Sequence, residues 1–147
     1  MTSDGSASDE LNRIGGLGFV LYRSTARPGL ETEDMRAILK AARSRNQALG
    51  LTGCLHHEDG LFFQWLEGPG DGLARVMASL THDRRHDDIR VLDQGPLDRR
   101  RFLDWHMRFS DRDHASLMDW FARSDTATVH PGDYAGAVVS FLMSLAR

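Results

Sequence analysis

Residues 51–68 read LTGCLHHEDGLFFQWLEG. Two apolar runs, LTGCLHH (51–57) and LFFQWLEG (61–68), flank Glu58-Asp59-Gly60. A short loop containing Asp-Gly between two such runs specifies a β-hairpin. Strand alternation sends Phe62, Gln64 and Leu66 to one face of the second strand and Phe63, Trp65 and Glu67 to the other.

The neighbouring stretches complete the pattern. Upstream, Thr32 to about Leu49 is periodic as a helix, with Met35, Ile38, Leu39 and Ala42 on one face. Glu31, Thr32, Glu33 and Asp34 crowd its first turn, where negative charge favours a helix, and Gly50 suits the C-cap. Further upstream, LGFVLYRS (17–24) reads as a buried strand that follows Gly15-Gly16 and ends before Arg27-Pro28-Gly29. Downstream, Pro69-Gly70 opens a second helix whose apolar face is Leu73, Val76, Met77 and Leu80. A fourth strand is expected near Ile89–Leu92 and a fifth near Trp105–Phe109. The order is β-α-β-β-α-β plus a fifth strand. That is an α+β chain with two helices on one face of a mainly antiparallel sheet, the ferredoxin-like arrangement. Beyond Ser110, Leu117, Met118 and Phe121 suggest a short helix. Pro131-Gly132 interrupt it. Tyr134, Val138, Phe141, Leu142 and Leu145 then mark an amphipathic terminal helix, which we expect to dock on the sheet's open face. The expected division is a disordered lead-in (1–16), a domain (17–110) and a C-terminal helical extension (111–147).

A chain of 147 residues is long enough for one real core, since chains near this size bury roughly 68–70% of their unfolded surface. The net charge of −3 gives no basic excess for nucleic acid. No apolar run approaches the ~20 residues that span a bilayer, and the N-terminus lacks a secretory pattern. With a single cysteine, Cys54, there is no disulfide framework. A cytoplasmic protein is the expectation.

Enzymatic signatures are thin. Gly68-Pro69-Gly70-Asp71-Gly72 precedes a helix but lacks the lysine of a phosphate loop, so it reads as a turn and N-cap. His56 and His57 are adjacent in a strand and face opposite sides, which prevents joint ligation of one ion. His82 and His86 have i, i+4 spacing, but the helix is expected to end between them. Cys54 reads as a small core residue. No metal and no catalytic residue are assigned.

More informative are polar side chains inside apolar strands: Tyr22 in LGFVLYRS and Gln64 in LFFQWLEG. Burying a glutamine amide requires donors and acceptors on both sides. A structural hydrogen bond, to backbone or to Tyr22, is one solution. A planar heteroaromatic ligand engaging Gln64, Tyr22 and the helix residue Asn46 is another. Patterning alone leaves both open.

The chain resembles the BLUF photoreceptors, which sense blue light with a flavin. The resemblance covers about Leu17 to Ser110. It is carried by VLYRSTA (20–26), RNQALGLTGCL (45–55), GLFFQWLEGP (60–69), DRRH (83–86) and RRFLDWHM (100–107), in order and correctly spaced. It implies an oxidised, non-covalent flavin between the two helices: FAD by family habit, with FMN or riboflavin as alternatives. Tyr22 matches the tyrosine that gives an electron and a proton to the excited flavin. Gln64 matches the glutamine whose hydrogen bonds then rearrange at the flavin N5 and O4 region. Asn46 matches the asparagine on the pyrimidine side, and Ile38 an apolar residue against the ring. Arg85 and His86 match positions near the flavin or its ribityl-phosphate tail. Trp105 and Met107 match the residues of strand five that compete for the place beside Gln64 and relay the signal. Two helix-one positions depart from some relatives. Ala42 stands where some carry serine, and Arg45 precedes Asn46 where others have histidine or lysine.

The resemblance therefore implies a sensor, not an enzyme. Residues 111–147 are too few for an effector domain, so signalling is expected through a separate protein or a homodimer. The rivals are a small flavin-dependent enzyme or an acylphosphatase-like hydrolase, a sheet-face RNA binder using Phe62, Phe63 and Trp65, and a light-insensitive ferredoxin-like interaction module. The acidic balance opposes the RNA reading.

Overall fold

The computed structural model describes residues 10–80, 86–103, 107–111, 116–117 and 131–145. The elements are β1 (Leu17–Ala26), α1 (Thr32–Leu49), β2 (Thr52–Glu58), β3 (Leu61–Pro69), α2 (Gly70–Leu80), β4 (His86–Pro96), β5 (Arg108–Asp111) and α3 (Pro131–Ser144). The strands form one sheet in the order β4-β1-β3-β2-β5. β1–β3, β1–β4 and β2–β3 are antiparallel, and β5 joins the edge parallel to β2. This is the expected α+β, ferredoxin-like order with an added strand.

The hairpin forms as read. Asp59 (φ 53°) and Gly60 (φ 79°) make its turn, the pair of positive φ values that lets a two-residue loop follow strand twist. α1 also keeps its expected bounds. The Asp34 carboxylate accepts the Glu31 N–H at 2.8 Å, and Gly50 closes the helix in the left-handed region at φ 70°.

The sheet has two covered faces. On one, Ile38, Leu39 and Ala42 of α1 and Leu73, Val76, Met77 and Leu80 of α2 pack with Val20, Tyr22, Leu55, Phe62 and Leu66. On the other, Val138, Phe141 and Leu142 of α3 pack with Leu21, Cys54, Phe63, Trp65 and Phe102. The alternation read along β3 is observed, and the terminal helix covers the face that α1 and α2 leave open.

Three expectations need correction. The described part of the lead-in is structured: Glu10–Asn12 form a helical turn and Leu11 is fully buried. Leu11 and Ile14 lie against Gly70, where an added Cβ would come within 2.2 Å of the Leu11 carbonyl oxygen. β4 is much longer than Ile89–Leu92, because β1 offers a whole free edge to pair with. β5 begins at Arg108, not near residue 105. The Met107 carbonyl is taken by the Arg43 guanidinium at 3.1 Å, and ladder pairing with β2 starts only at Arg108 opposite Cys54. Trp105, Arg85, His82 and the short helix expected through Met118 and Phe121 lie outside the described residues, apart from Leu117.

Candidate functional site

β1 and β3 are the central strands, and their register sets Tyr22 directly opposite Gln64. Even-numbered β3 residues face α1 and α2, so both side chains enter the same helix-covered layer. Tyr22 is fully buried and Gln64 is 2% exposed. The Tyr22 hydroxyl donates to Gln64 Oε1. At the amide's other end, Gln64 Nε2 donates to the Met107 sulfur at 3.3 Å. One amide thus bridges a phenol on β1 and a thioether at the entrance to β5. Its two ends are chemically different, so its orientation is encoded by its neighbours.

α1 brings Asn46 to the same layer, one turn beyond Ala42, with the side chain fully buried. Arg45 Nε and Nη2 both reach Asn46 Oδ1 at 3.4 Å. Ile38 belongs to the core cluster that contains Tyr22 and Met107. His86 opens β4 and pairs with Ala26. It is a strand residue, so a helical i, i+4 partnership with His82 does not apply.

The donor set suits a flavin. Two amides and a phenol, all buried among aliphatic side chains, match a flat ring whose imide edge carries both acceptors and a donor. Ser24 is a further buried hydroxyl, in register on the same face of β1.

Two buried acids escaped assignment from sequence. Glu67 is fully buried on the α3 side of β3. It accepts from the Trp65 indole at 2.9 Å, the Thr52 hydroxyl at 3.0 Å and the backbone N–H groups of Arg101 and Phe102 at 2.8 Å. Arg100 adds bonds to Thr52 Oγ1 at 2.9 Å and to the Gly50 carbonyl at 2.7 Å. This set ties the β4–β5 connection to the hairpin. Glu58, 3% exposed, bonds to His56, which is fully buried. Burial holds the His56 pKa below its ordinary value, against the opposing hydrogen bond and charge of Glu58. His57 is lowered too, by burial and then by neighbouring His56. The available signal was a charged residue inside an apolar strand, which demands partners.

Fold and site together define a flavin-binding sensor module of α+β type. The family model described as "BLUF: Sensors of blue-light using FAD" matches residues 17–108. The chain belongs to the BLUF family of flavin-binding blue-light sensors. Among solved structures, "BlrB - a BLUF protein, dark state structure" is 32% identical with a TM-score of 0.73, covering 88% of this chain and 97% of that one. "BlsA photo-activated state" is 26% identical with a TM-score of 0.76, covering 86% and 94%. A photoactivated adenylate cyclase subunit beta from Euglena gracilis is 37% identical over 79 residues, which is 54% of this chain and 9% of that protein. The chain thus spans about a tenth of the length of the curated relatives it matches. No helix among the described residues is long and apolar enough to cross a membrane.

Proposed function

We propose that Tyr22 and Gln64 are the photochemical pair of this sensor. We assign Asn46 and Ile38 to hold the flavin ring and Arg85 and His86 to its ribityl-phosphate side. Residues 17–110 form the sensing unit and 111–147 the output extension. The observation that carries the reading is the Tyr22–Gln64–Met107 chain of hydrogen bonds on the helix-covered face.

Bound there, the flavin supplies blue-light absorption and an excited-state electron acceptor. Tyr22 already aims its phenolic proton at Gln64 Oε1. If Tyr22 gave an electron to the bound flavin and, through Gln64, this proton, with both returning to Tyr22 on charge recombination, the donor that holds the amide would be absent in the interval. Gln64 then rotates or tautomerises and presents a different end to Met107, breaking the bond to sulfur. The chromophore is not changed covalently, so the altered hydrogen-bond network is the record of light. Met107, with Trp105 two residues before it in sequence, passes the change to β5 and the extension.

This chain acts as a sensor without a catalytic step of its own. It signals in trans to a separate effector protein or through a homodimer, and it works in the cytoplasm. In the test, purified protein loaded with FAD, FMN or riboflavin is illuminated with blue light. The expected result is a small red shift of flavin absorption that reverses in the dark and is absent in Tyr22→Phe and Gln64→Leu. A normal photocycle in Gln64→Leu would overturn the assignment. A preparation that takes up no flavin would overturn the sensor reading altogether.

A further inference from the structure

The helix-side chain ends at Met107, yet the extension lies against the opposite face of the sheet. A second polar network on that opposite face spans the gap. In the parallel β2–β5 ladder His56 stands opposite Ser110. His56 Nδ1 contacts Ser110 Oγ at 3.2 Å, and His56 Nε2 contacts Glu58 Oε1 at 2.8 Å. Glu58 in turn accepts the Ser116 hydroxyl at 3.0 Å and the Leu117 backbone N–H at 2.7 Å. The Phe141 ring on α3 and the imidazole form a T-shaped pair, with centroids 4.8 Å apart and planes at 72°.

Burial favours the neutral ring, which has one donor nitrogen and one acceptor nitrogen. The Glu58 carboxylate facing Nε2 can only accept, so Nε2 carries the proton and Nδ1 accepts from Ser110. The chain therefore has a direction: Ser110 O–H to His56, His56 N–H to Glu58, with the start of the extension bonded to the same carboxylate. Ser110, His56 and Glu58 are all buried, so the links among them are not readily replaced by water if β5 moves, whereas Ser116 is half-buried.

We propose that the buried His56–Glu58 pair is the joint through which movement of β5 reaches the C-terminal extension. The pair consists of positioning residues. It touches neither Tyr22 nor Gln64, and its place is to make the set of Ser116, Leu117 and α3 depend on the set of Ser110. Ser110 follows Met107 by three residues, so a shift of the Met107 contact is felt within one short strand. The inference rests on the photosensor reading above.

The test measures flavin absorption and amide hydrogen exchange, dark and illuminated, on the flavin-loaded full chain. Wild type should show a light-dependent change in exchange at Leu117 and across 138–142. Ser110→Ala removes one hydroxyl and should keep the absorption shift but lose that change. Ser110→Thr retains the hydroxyl and should restore it. Glu58→Gln should behave as Ser110→Ala. If it fails to fold, the serine pair alone decides. An exchange difference that persists in Ser110→Ala, or that Ser110→Thr does not restore, overturns the joint, as does a wild type whose spectrum shifts without any change at α3. A wild type with no absorption shift overturns the sensor reading and this inference with it.

Discussion

Replacing Glu67 by alanine should release the β4–β5 connection and destabilise the protein substantially. The carboxylate is fully buried and receives the Trp65 indole and the Phe102 N–H, both buried donors. Each buried donor left without an acceptor costs about 1–3 kcal/mol. The Arg101 N–H is nearer water, and the Thr52 hydroxyl, though buried, can rotate toward another acceptor, so both add less. Two stranded donors give a loss of about 2–6 kcal/mol, and we take about 3 kcal/mol as the expectation. For a chain near this size that is roughly 6–12 °C in Tm, at about 2–4 °C per kcal/mol.

The assay is thermal unfolding in the dark at fixed flavin excess, because bound ligand raises apparent stability by mass action. Glu67→Gln preserves shape and one acceptor oxygen but turns an N–H toward other donors, so it should fall between wild type and alanine. The functional consequence is separate. Residues 100–107 lead from this anchor to Met107, so Glu67→Ala should also change the dark recovery of the absorption shift. A stability loss below about 1 kcal/mol, within the range of an ordinary exposed substitution, would show that these donors find other acceptors. The anchor reading would then be wrong.

Three further outcomes are expected. Asn46→Ala should weaken flavin binding about tenfold, the equivalent of one good hydrogen bond of roughly 1.4 kcal/mol; an unchanged Kd in a fluorescence titration would remove Asn46 from the binding site. Arg43→Ala removes an exposed side chain whose part-buried bond holds the Met107 carbonyl, so stability should fall by about 1 kcal/mol, the net value of one hydrogen bond, while dark recovery changes severalfold; an unaltered recovery rate would argue against this clamp. The lowered pKa values of His56 and His57 mean that the unfolded chain binds more protons once pH falls below about 6.5. Their contribution to stability is therefore complete above that pH and is lost as pH falls through the folded values. Urea midpoints should drop from pH 7 toward 5, and His56→Gln should flatten the drop; parallel curves for the two proteins would contradict it.

Much of this was legible in the sequence because local and global signals agree. Asp59-Gly60 between apolar runs fixes a hairpin, and Gly50 can end α1 in the left-handed region where most residues are strained. The period-two pattern of β3 separated Gln64 from Trp65 correctly because a one-residue slip would invert both layers. What could not be read depended on partners distant in sequence. Trp105–Phe109 alternates like a strand, yet Met107 bonds to Arg43 on α1 instead of entering the ladder. Leu11 looked like part of a polar tail, and its burial follows from the bare surface that Gly70 offers. Tyr22 and Gln64 were visible as oddities, but their mutual bond needed the β1–β3 register. Glu58 and Glu67 were equally odd, and only tertiary contacts show what each one holds.

The placement of the polar pair bears on how small the switching energy can be. Tyr22 and Gln64 sit on β1 and β3, each paired on both sides, so neither strand can shift without breaking two ladders. β5 is different: it has four residues and one neighbour, β2. Short edge elements with few backbone bonds open at the lowest cost. Among the described residues, the link from Gln64 to that region ends on a thioether sulfur, which is a weak acceptor. Losing it costs less than losing a bond to oxygen. The arrangement therefore keeps the two settings of the amide within a few kcal/mol, the gap across which populations can be moved. An oxygen acceptor at position 107 should deepen the dark setting. Met107→Gln, a near match in length with a stronger acceptor, should accordingly shrink the light-induced red shift or speed its decay. An enlarged, long-lived shift in that variant would refute the argument that a weak sulfur bond sets the balance.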